Sequence, residues 1–260
     1  MNVVIIGSGN VATVMGGKLS EAGHRILQVM GRREEPAARL AGQLGCPYTT
    51  HWTDLDPNGE LYLVSISDSA LEGLGKEWSA PGKLVVHTAG AVARTVLSGV
   101  SERNGVLYPL QSLRKEVRPF PEFPLLVDAD RPEDLAVIEA LARTIARQVE
   151  PADDATRLKL HLAATLVNNF TNYLYTLADD YCRKENIHFS LLLPIIRETA
   201  QRLDRYAPRS VQTGPAIRGD KATVSRHLDL LNNYMNIKEL YNLFTIQIEQ
   251  FCRLPEIPLS

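Results

Sequence analysis

The sequence predicts an α/β domain on a parallel sheet followed by an all-α domain, and three observations carry that prediction. Four branched aliphatic residues, Val3 to Ile6, run straight into the glycine pattern Gly7, Gly9, Ala12. Short apolar runs then alternate with segments of helical period as far as residue 150, as repeated βαβ units do. From Asp153 onward only the helical period remains, so domains of residues 1–152 and 153–260 are expected.

Each element has its own signal. The first strand feeds a helix over 11–22, with Val11, Val14, Met15 and Leu19 at helical spacing and Gly23 as its stop. Residues 25–30 read as the second strand, 36–44 as a second helix closed by Gly45, and 46–48 as a short third strand. The runs at 61–66 and 83–87 are apolar throughout, as strands covered on both faces are. Strands at 105–108 and 124–128, a helix at 133–145 and a closing strand at 147–150 complete the first domain. The proline-rich stretch 119–124 reads as a stiff loop within it. Helices are expected over 154–184, 190–206 and 220–252, the last broken near Asn232 and Asn233 and capped by Asp220, with a loosely held tail from 255.

The decapeptide at 3–12 has the chemistry of a dinucleotide-phosphate turn. Gly7 permits the sharp strand-to-helix turn, Gly9 lets a pyrophosphate approach the backbone, and Ala12 lets the helix pack close to the strand. Free N–H groups at the helix start, from Ser8 and Asn10 to Ala12, would then face the phosphates. Sites for NAD usually place an acid at the end of the second strand, where this chain has Gly31, Arg32 and Arg33. Guanidinium forks suit a ribose 2′-phosphate, so NADP is the expected cofactor, although the two arginines could also pair with Glu34 and Glu35. Ser65, Ser67 and Thr88 follow strands four and five, where ligands bind in open α/β sheets, and serine there can equally be a turn former.

Composition excludes several classes. With 260 residues, 45% hydrophobic, the chain can bury a sizeable core, and its 28 basic and 30 acidic residues leave a formal charge of −2. No field favours nucleic acid or an anionic membrane. Cys46, Cys182 and Cys252 are far apart and in no metal-binding pattern, so free thiols, a cytoplasmic location and no metal site are expected. No export signal and no apolar run of membrane-spanning length is visible.

In the helical half, His161, Thr165, Asn168 and Asn172 recur at spacings of four, three and four, which at 100° per residue puts them on one helix face. Asn169 and Lys159 flank that stripe. A buried polar row faces either a partner helix or a ligand cavity, and histidine with asparagine beside a nicotinamide could bind and protonate a carbonyl oxygen. Between later helices, TGPAIRGD at 213–220 carries Arg218, which reads as a carboxylate or phosphate contact or as a plain surface charge.

With these residues in place, the chain resembles NADP-linked reductases that join a Rossmann domain to a helical domain of the 6-phosphogluconate dehydrogenase C-terminal type, the relatives of pyrroline-5-carboxylate reductase and β-hydroxyacid dehydrogenase. More closely it resembles the Rossmann-like plus DUF2520 proteins, through GSGNVA at 7–12, VSISDSAL at 64–71, HTAG at 87–90, YPLQSL at 108–113, KLHLAATLVNNFTNYLY at 159–175 and GPAIRGDKATVSRHL at 214–228. The resemblance implies an NADP-dependent oxidoreductase, a homodimer paired through the helical domain and, in some members, ketopantoate reduction. The β-hydroxyacid dehydrogenases place asparagine four residues after a catalytic lysine, whereas Ala163 follows Lys159 at that spacing, so His161 with Asn168 or Asn169 ranks above Lys159 as proton donor. The leading expectation is reduction of a small 2-oxo acid, its carboxylate held by Thr88, Gly90, Gln111, Ser112 or Arg218. An imine reductase and a non-catalytic NADP sensor are the alternatives.

Overall fold

A computed structural model describes residues 1–251. It divides into two compact units, Met1–Asn169 and Phe170–Ser260. The switch to helical period near residue 152 therefore marks the end of the sheet, while the helix that follows belongs to the first unit as far as Asn169.

The first unit is built on eight strands: β1 (Asn2–Ile6), β2 (Arg25–Met30), β3 (Tyr48–Thr49), β4 (Leu61–Val64), β5 (Leu84–His87), β6 (Asn104–Pro109), β7 (Leu125–Ala129) and β8 (Val149–Pro151). Their order is β3-β2-β1-β4-β5-β6-β7-β8, and every neighbouring pair is parallel except β6 and β7. The helices of this unit are α1 (Asn10–Glu21), α2 (Glu34–Leu44), the single turns α3 (Asp68–Leu71) and α4 (Leu74–Glu77), α5 (Pro132–Ile145) and α6 (Asp154–Ala164). The second helix starts two residues before its expected position, because Glu34 and Glu35 are favourable in a first helical turn.

The strand period of two explains the apolar runs. Val3 and Ile5 pack on one face with α1, α2 and α5, while Val4 and Ile6 pack on the other with Leu71, Leu74 and Leu97. Both faces are covered, so neither alternate set of β1 can be polar. Because β1 lies between β2 and β4, the crossovers leave it in opposite directions and open a crevice beyond the C-terminal ends of β1 and β4.

The second unit contains α7 (Thr171–Lys184), α8 (Leu193–Gln201), α9 (Pro215–Arg218), α10 (Lys221–Leu230) and α11 (Met235–Phe251). Asp220 caps α10 as expected, its carboxylate accepting from the Thr223 N–H at 3.0 Å. A 3-10 turn at Leu231–Asn233 separates α10 from α11, at the break the two asparagines suggested. Leu174, Leu177, Leu230, Leu240 and Phe244 line an apolar groove in this unit, with His227 Nδ1 and Tyr241 Oη 2.8 Å apart at its wall. No helix among the described residues is long and apolar enough to cross a membrane. Cys46 and Cys182 are free thiols; Cys252 and the tail from 255 lie outside the described residues.

One buried group at the edge of the crevice links folding to pH. His87 ends β5 fully buried, its Nδ1 accepting from the Ala89 N–H at 3.1 Å. Burial, and secondly the nearby Arg157 guanidinium, hold its pKa down to about 4. Above about pH 6.5 the histidine is neutral in both folded and unfolded chains. Below that, the unfolded chain takes a proton that native His87 refuses. Stability is therefore expected to fall by about 3 kcal/mol as pH drops from 6.5 to 4. Denaturant titrations of wild type and His87→Gln across that range check this: the variant's slope should be flatter, and equal slopes would refute it.

Candidate cofactor and substrate cavity

A cavity of about 620 Å³ opens at the C-terminal edge of β1, β2, β4 and β5. It is lined by the turn Gly7–Val11, by residues 30–33, by the segment after β4 including Ser65 and Ser67, by Thr88, Ala89 and Gly90, and by His161. All of these belong to the first unit.

The turn after β1 sets the cavity floor. Gly7 has φ +122°, and a Cβ there would lie 2.1 Å from the Ser65 carbonyl oxygen, so no side chain can be accommodated. Its N–H donates to the Met30 carbonyl at 2.8 Å, which ties the start of the turn to the end of β2. Gly9 is the N-cap of α1, and a Cβ on it would meet no protein atom within 4 Å. The 12-residue helix has no side-chain cap and no acid in its first turn. Its leading N–H groups are thus left to an external acceptor, and the helix dipole favours an anion there. Ala12 is fully buried below the turn, as close helix–strand packing requires.

Arg32 and Arg33 sit on the cavity rim, both exposed. Pairing with the two following acids, the alternative raised by the sequence, is not what forms. Glu34 accepts from Tyr48 Oη at 2.8 Å, and Glu35 pairs with Arg39 at 3.0 Å. Among the described residues neither rim arginine has an ion-pair partner. Both guanidiniums are free for a phosphate. Across the cavity, Thr88 Oγ1 donates to Ser65 Oγ at 3.3 Å, which joins the ends of β4 and β5. Trp52 and Glu77 also line the cavity, linked by an indole N–H to carboxylate bond of 3.0 Å. Sequence reasoning passed over both, since neither lies in a recognisable pattern.

His161 reaches the cavity because α6 is anchored at its start. Asp153 caps the helix by accepting from the Thr156 N–H at 2.8 Å. Asp154 accepts from the backbone N–H of Arg94 at 2.9 Å and from the buried Arg157 at 2.6 Å, and Arg157 also donates to the Val92 carbonyl at 2.6 Å. One turn further on, His161 Nδ1 lies 3.0 Å from Oη of Tyr108, on β6. The two rings meet edge to face, 6.0 Å between centroids.

The polar stripe does not continue past His161 as expected. The backbone over Thr165–Phe170 is a π-helix, whose i to i+5 bonding underwinds the chain and turns later residues off the face that 100° per residue predicts. Lys159, Asn168 and Asn169 are exposed and none lines the cavity. Gln111 and Ser112 are exposed too, the Gln111 Oε1 accepting from the Ser112 N–H at 2.9 Å. Arg218 is exposed at the end of α9 in the second unit. The structure thus brings the turn residues, the arginines, Ser65, Ser67, Thr88, Gly90 and His161 to one cavity.

Comparisons with known proteins agree with this architecture. A Rossmann-like domain model matches residues 1–111, and a model of a domain of unknown function, DUF2520, matches residues 123–248. Among curated protein sequences none matches. A solved structure from Bacteroides fragilis, whose name as an NADP oxidoreductase is itself an inference, is 38% identical. The match covers 96% of this chain and 98% of that one, with TM-score 0.88. The fold is shared more distantly with 1-pyrroline-5-carboxylate reductase of Streptococcus pyogenes, at 17% identity, TM-score 0.61 and coverage of 96% and 98%. It is shared also with an imine reductase of Myxococcus stipitatus solved with NADP+, at 13% identity, TM-score 0.63 and coverage of 96% and 93%. A Rossmann-like model over the first 111 residues, a DUF2520 model over 123–248 and a 38% identical full-length relative lead to one conclusion: this chain belongs to the Rossmann-like plus DUF2520 family.

Proposed function

We propose that this chain is an NADP-dependent reductase of a small carbonyl compound, a 2-oxo acid or close relative, with ketopantoate among the candidates. The observation that carries the reading is one continuous cavity holding a bare helix N-terminus and two unpaired arginines together with His161. The residues fit the cofactor: amides of Ser8 to Ala12 for the pyrophosphate, Arg32 and Arg33 for the 2′-phosphate, and Ser65, Ser67 and Thr88 along its length. NADPH, when bound, supplies a hydride to the carbonyl carbon. His161 gives a proton to the carbonyl oxygen, so the products are the alcohol and NADP+, and solvent later returns the proton to the imidazole. In this reading Thr88 and Gly90 hold the substrate carboxylate; Gln111, Ser112 and Arg218 are secondary candidates, and Lys159, Asn168 and Asn169 rank behind His161. A sensor would need no side chain that can transfer protons in its cofactor cavity, and His161 favours the enzyme.

The helical half pairs with a second copy in this reading. Leu191, Ile195 and Leu230 are 71%, 63% and 64% exposed, apolar side chains that a single copy leaves to water. The free thiols Cys46 and Cys182, among the described residues, fit a reducing cytoplasm.

Three outcomes test these statements. NADPH should bind at least about tenfold more tightly than NADH, and Arg32→Ala with Arg33→Ala should remove most of that difference, the equivalent of ~1.4 kcal/mol. Tighter binding of NADH to wild type would overturn the assignment. Across a panel of 2-oxo acids and cyclic imines, His161→Gln should lower kcat about 100-fold on the preferred carbonyl. Turnover confined to imines and indifferent to this change would favour the imine reductase instead. Sedimentation should give twice the 28.8 kDa chain mass, with Leu230→Glu shifting it toward monomer, and a wild-type monomer at every concentration would exclude the pairing.

A further inference from the structure

We propose that Tyr108 is a positioning residue for the proton donor: its phenol holds Nδ1 of His161, so that Nε2 is the nitrogen that presents an N–H to the cavity. The inference rests on the reading of His161 as donor, and it concerns a residue outside the expected site.

Tyr108 is 9% exposed, and burial raises its phenol above the usual tyrosine pKa, which keeps it a neutral O–H at physiological pH. Among the described residues, His161 Nδ1 is the only hydrogen-bond partner of its Oη. If Nδ1 carried the ring proton, the phenol would accept that bond and its own proton would have no acceptor among the described residues. Both groups are satisfied when Oη–H donates to Nδ1, and the neutral ring then keeps its proton on Nε2. Nε2 has no hydrogen-bond partner among the described residues and is not closed off from solvent. When the ring takes a second proton, Nδ1–H donates back to Oη, since a phenol oxygen can accept as well as donate. The cation is the acid: giving its Nε2 proton to the carbonyl oxygen leaves a neutral ring whose Nδ1–H still donates to Oη, and solvent then returns a proton to Nε2, so the contact and the ring's orientation persist through the cycle.

A second feature of the backbone supports the same arrangement. A Cβ on Gly90 would stand 2.7 Å from His161 Nδ1, 2.8 Å from Tyr108 Cζ and 2.9 Å from Tyr108 Oη. The Tyr108–His161 pair occupies the space a side chain at residue 90 would need. The glycine of the HTAG turn is thereby explained by the neighbouring pair, on the same wall that would hold the substrate.

The test reads the tautomer directly. In the full chain labelled with 15N-histidine, long-range 1H–15N spectra distinguish Nδ1–H from Nε2–H, and His161→Gln identifies the signals of His161 by their loss. Neutral His161 should be the Nε2–H form. Tyr108→Phe should raise the Nδ1–H fraction about fivefold, the effect of one neutral hydrogen bond. Gly90→Ala should move the ratio the same way, because its methyl group displaces the pair. On a carbonyl that the wild type reduces, Tyr108→Phe should lower kcat and leave the KM for NADPH within about twofold, a split that general loosening of the fold would not give. A wild-type ring protonated on Nδ1, or an unchanged ratio in Tyr108→Phe, overturns the inference. The tautomer is read without substrate, so this failure is distinct from failure of the carbonyl reading, which would show as full turnover by His161→Gln.

Discussion

The structure of the first unit depends on the contact between Gly7 and the Ser65 carbonyl. A Cβ at residue 7 would lie 2.1 Å from that oxygen, so the ends of β1 and β4 can approach only because residue 7 has none. This approach occurs where the strand order reverses its direction, between β1 and β4. It fixes the axis of α1 and, with it, the line along which the helix N–H groups point. The serine that meets Gly7 is also the one bonded to Thr88, so the same contact carries the geometry across to β5 and the substrate wall.

The cavity is chemically divided. At one end are backbone donors and unpaired guanidiniums, and the first turn of α1 has no acid, whereas α2 and α5 each begin with two. That end suits phosphate through position and charge. At the other end Thr88 is engaged with Ser65 and His161 with Tyr108, and the Asp68 carboxylate lines the cavity close enough to act on the Tyr108 phenol. Hydride transfer to a carbonyl uses such a division, with cations on the cofactor's phosphates and a mobile proton beside the reacting oxygen.

Much of the fold was legible because the sheet is covered on both faces. Runs such as LYLV and LVVH have no amphipathic alternation to blur them, and their ends were placed within one or two residues. The cradle was legible because its glycines serve steric needs that leave a local pattern. Lys159, Asn168 and Asn169 were harder to place. Lys159 precedes His161 by two residues on the same regular helix and so points about 200° around the axis from it, whereas the expected convergence of the two asparagines assumed 100° per residue, a period that the π-helical turn at Thr165–Phe170 breaks without any glycine or proline to announce it. Tyr108 was missed for a different reason: its role depends on a contact across 53 positions, between β6 and α6, which no local spacing encodes.

One cavity is expected to hold the whole cofactor, with its reactive end beside His161. A crystal structure with NADP+ tests it most directly. The pyrophosphate should rest on the amides at the start of α1, the 2′-phosphate on Arg32 and Arg33, and the nicotinamide ring within reach of His161. A nucleotide bound with its adenosine end at His161, or bound outside the crevice of β1 and β4, would contradict the account.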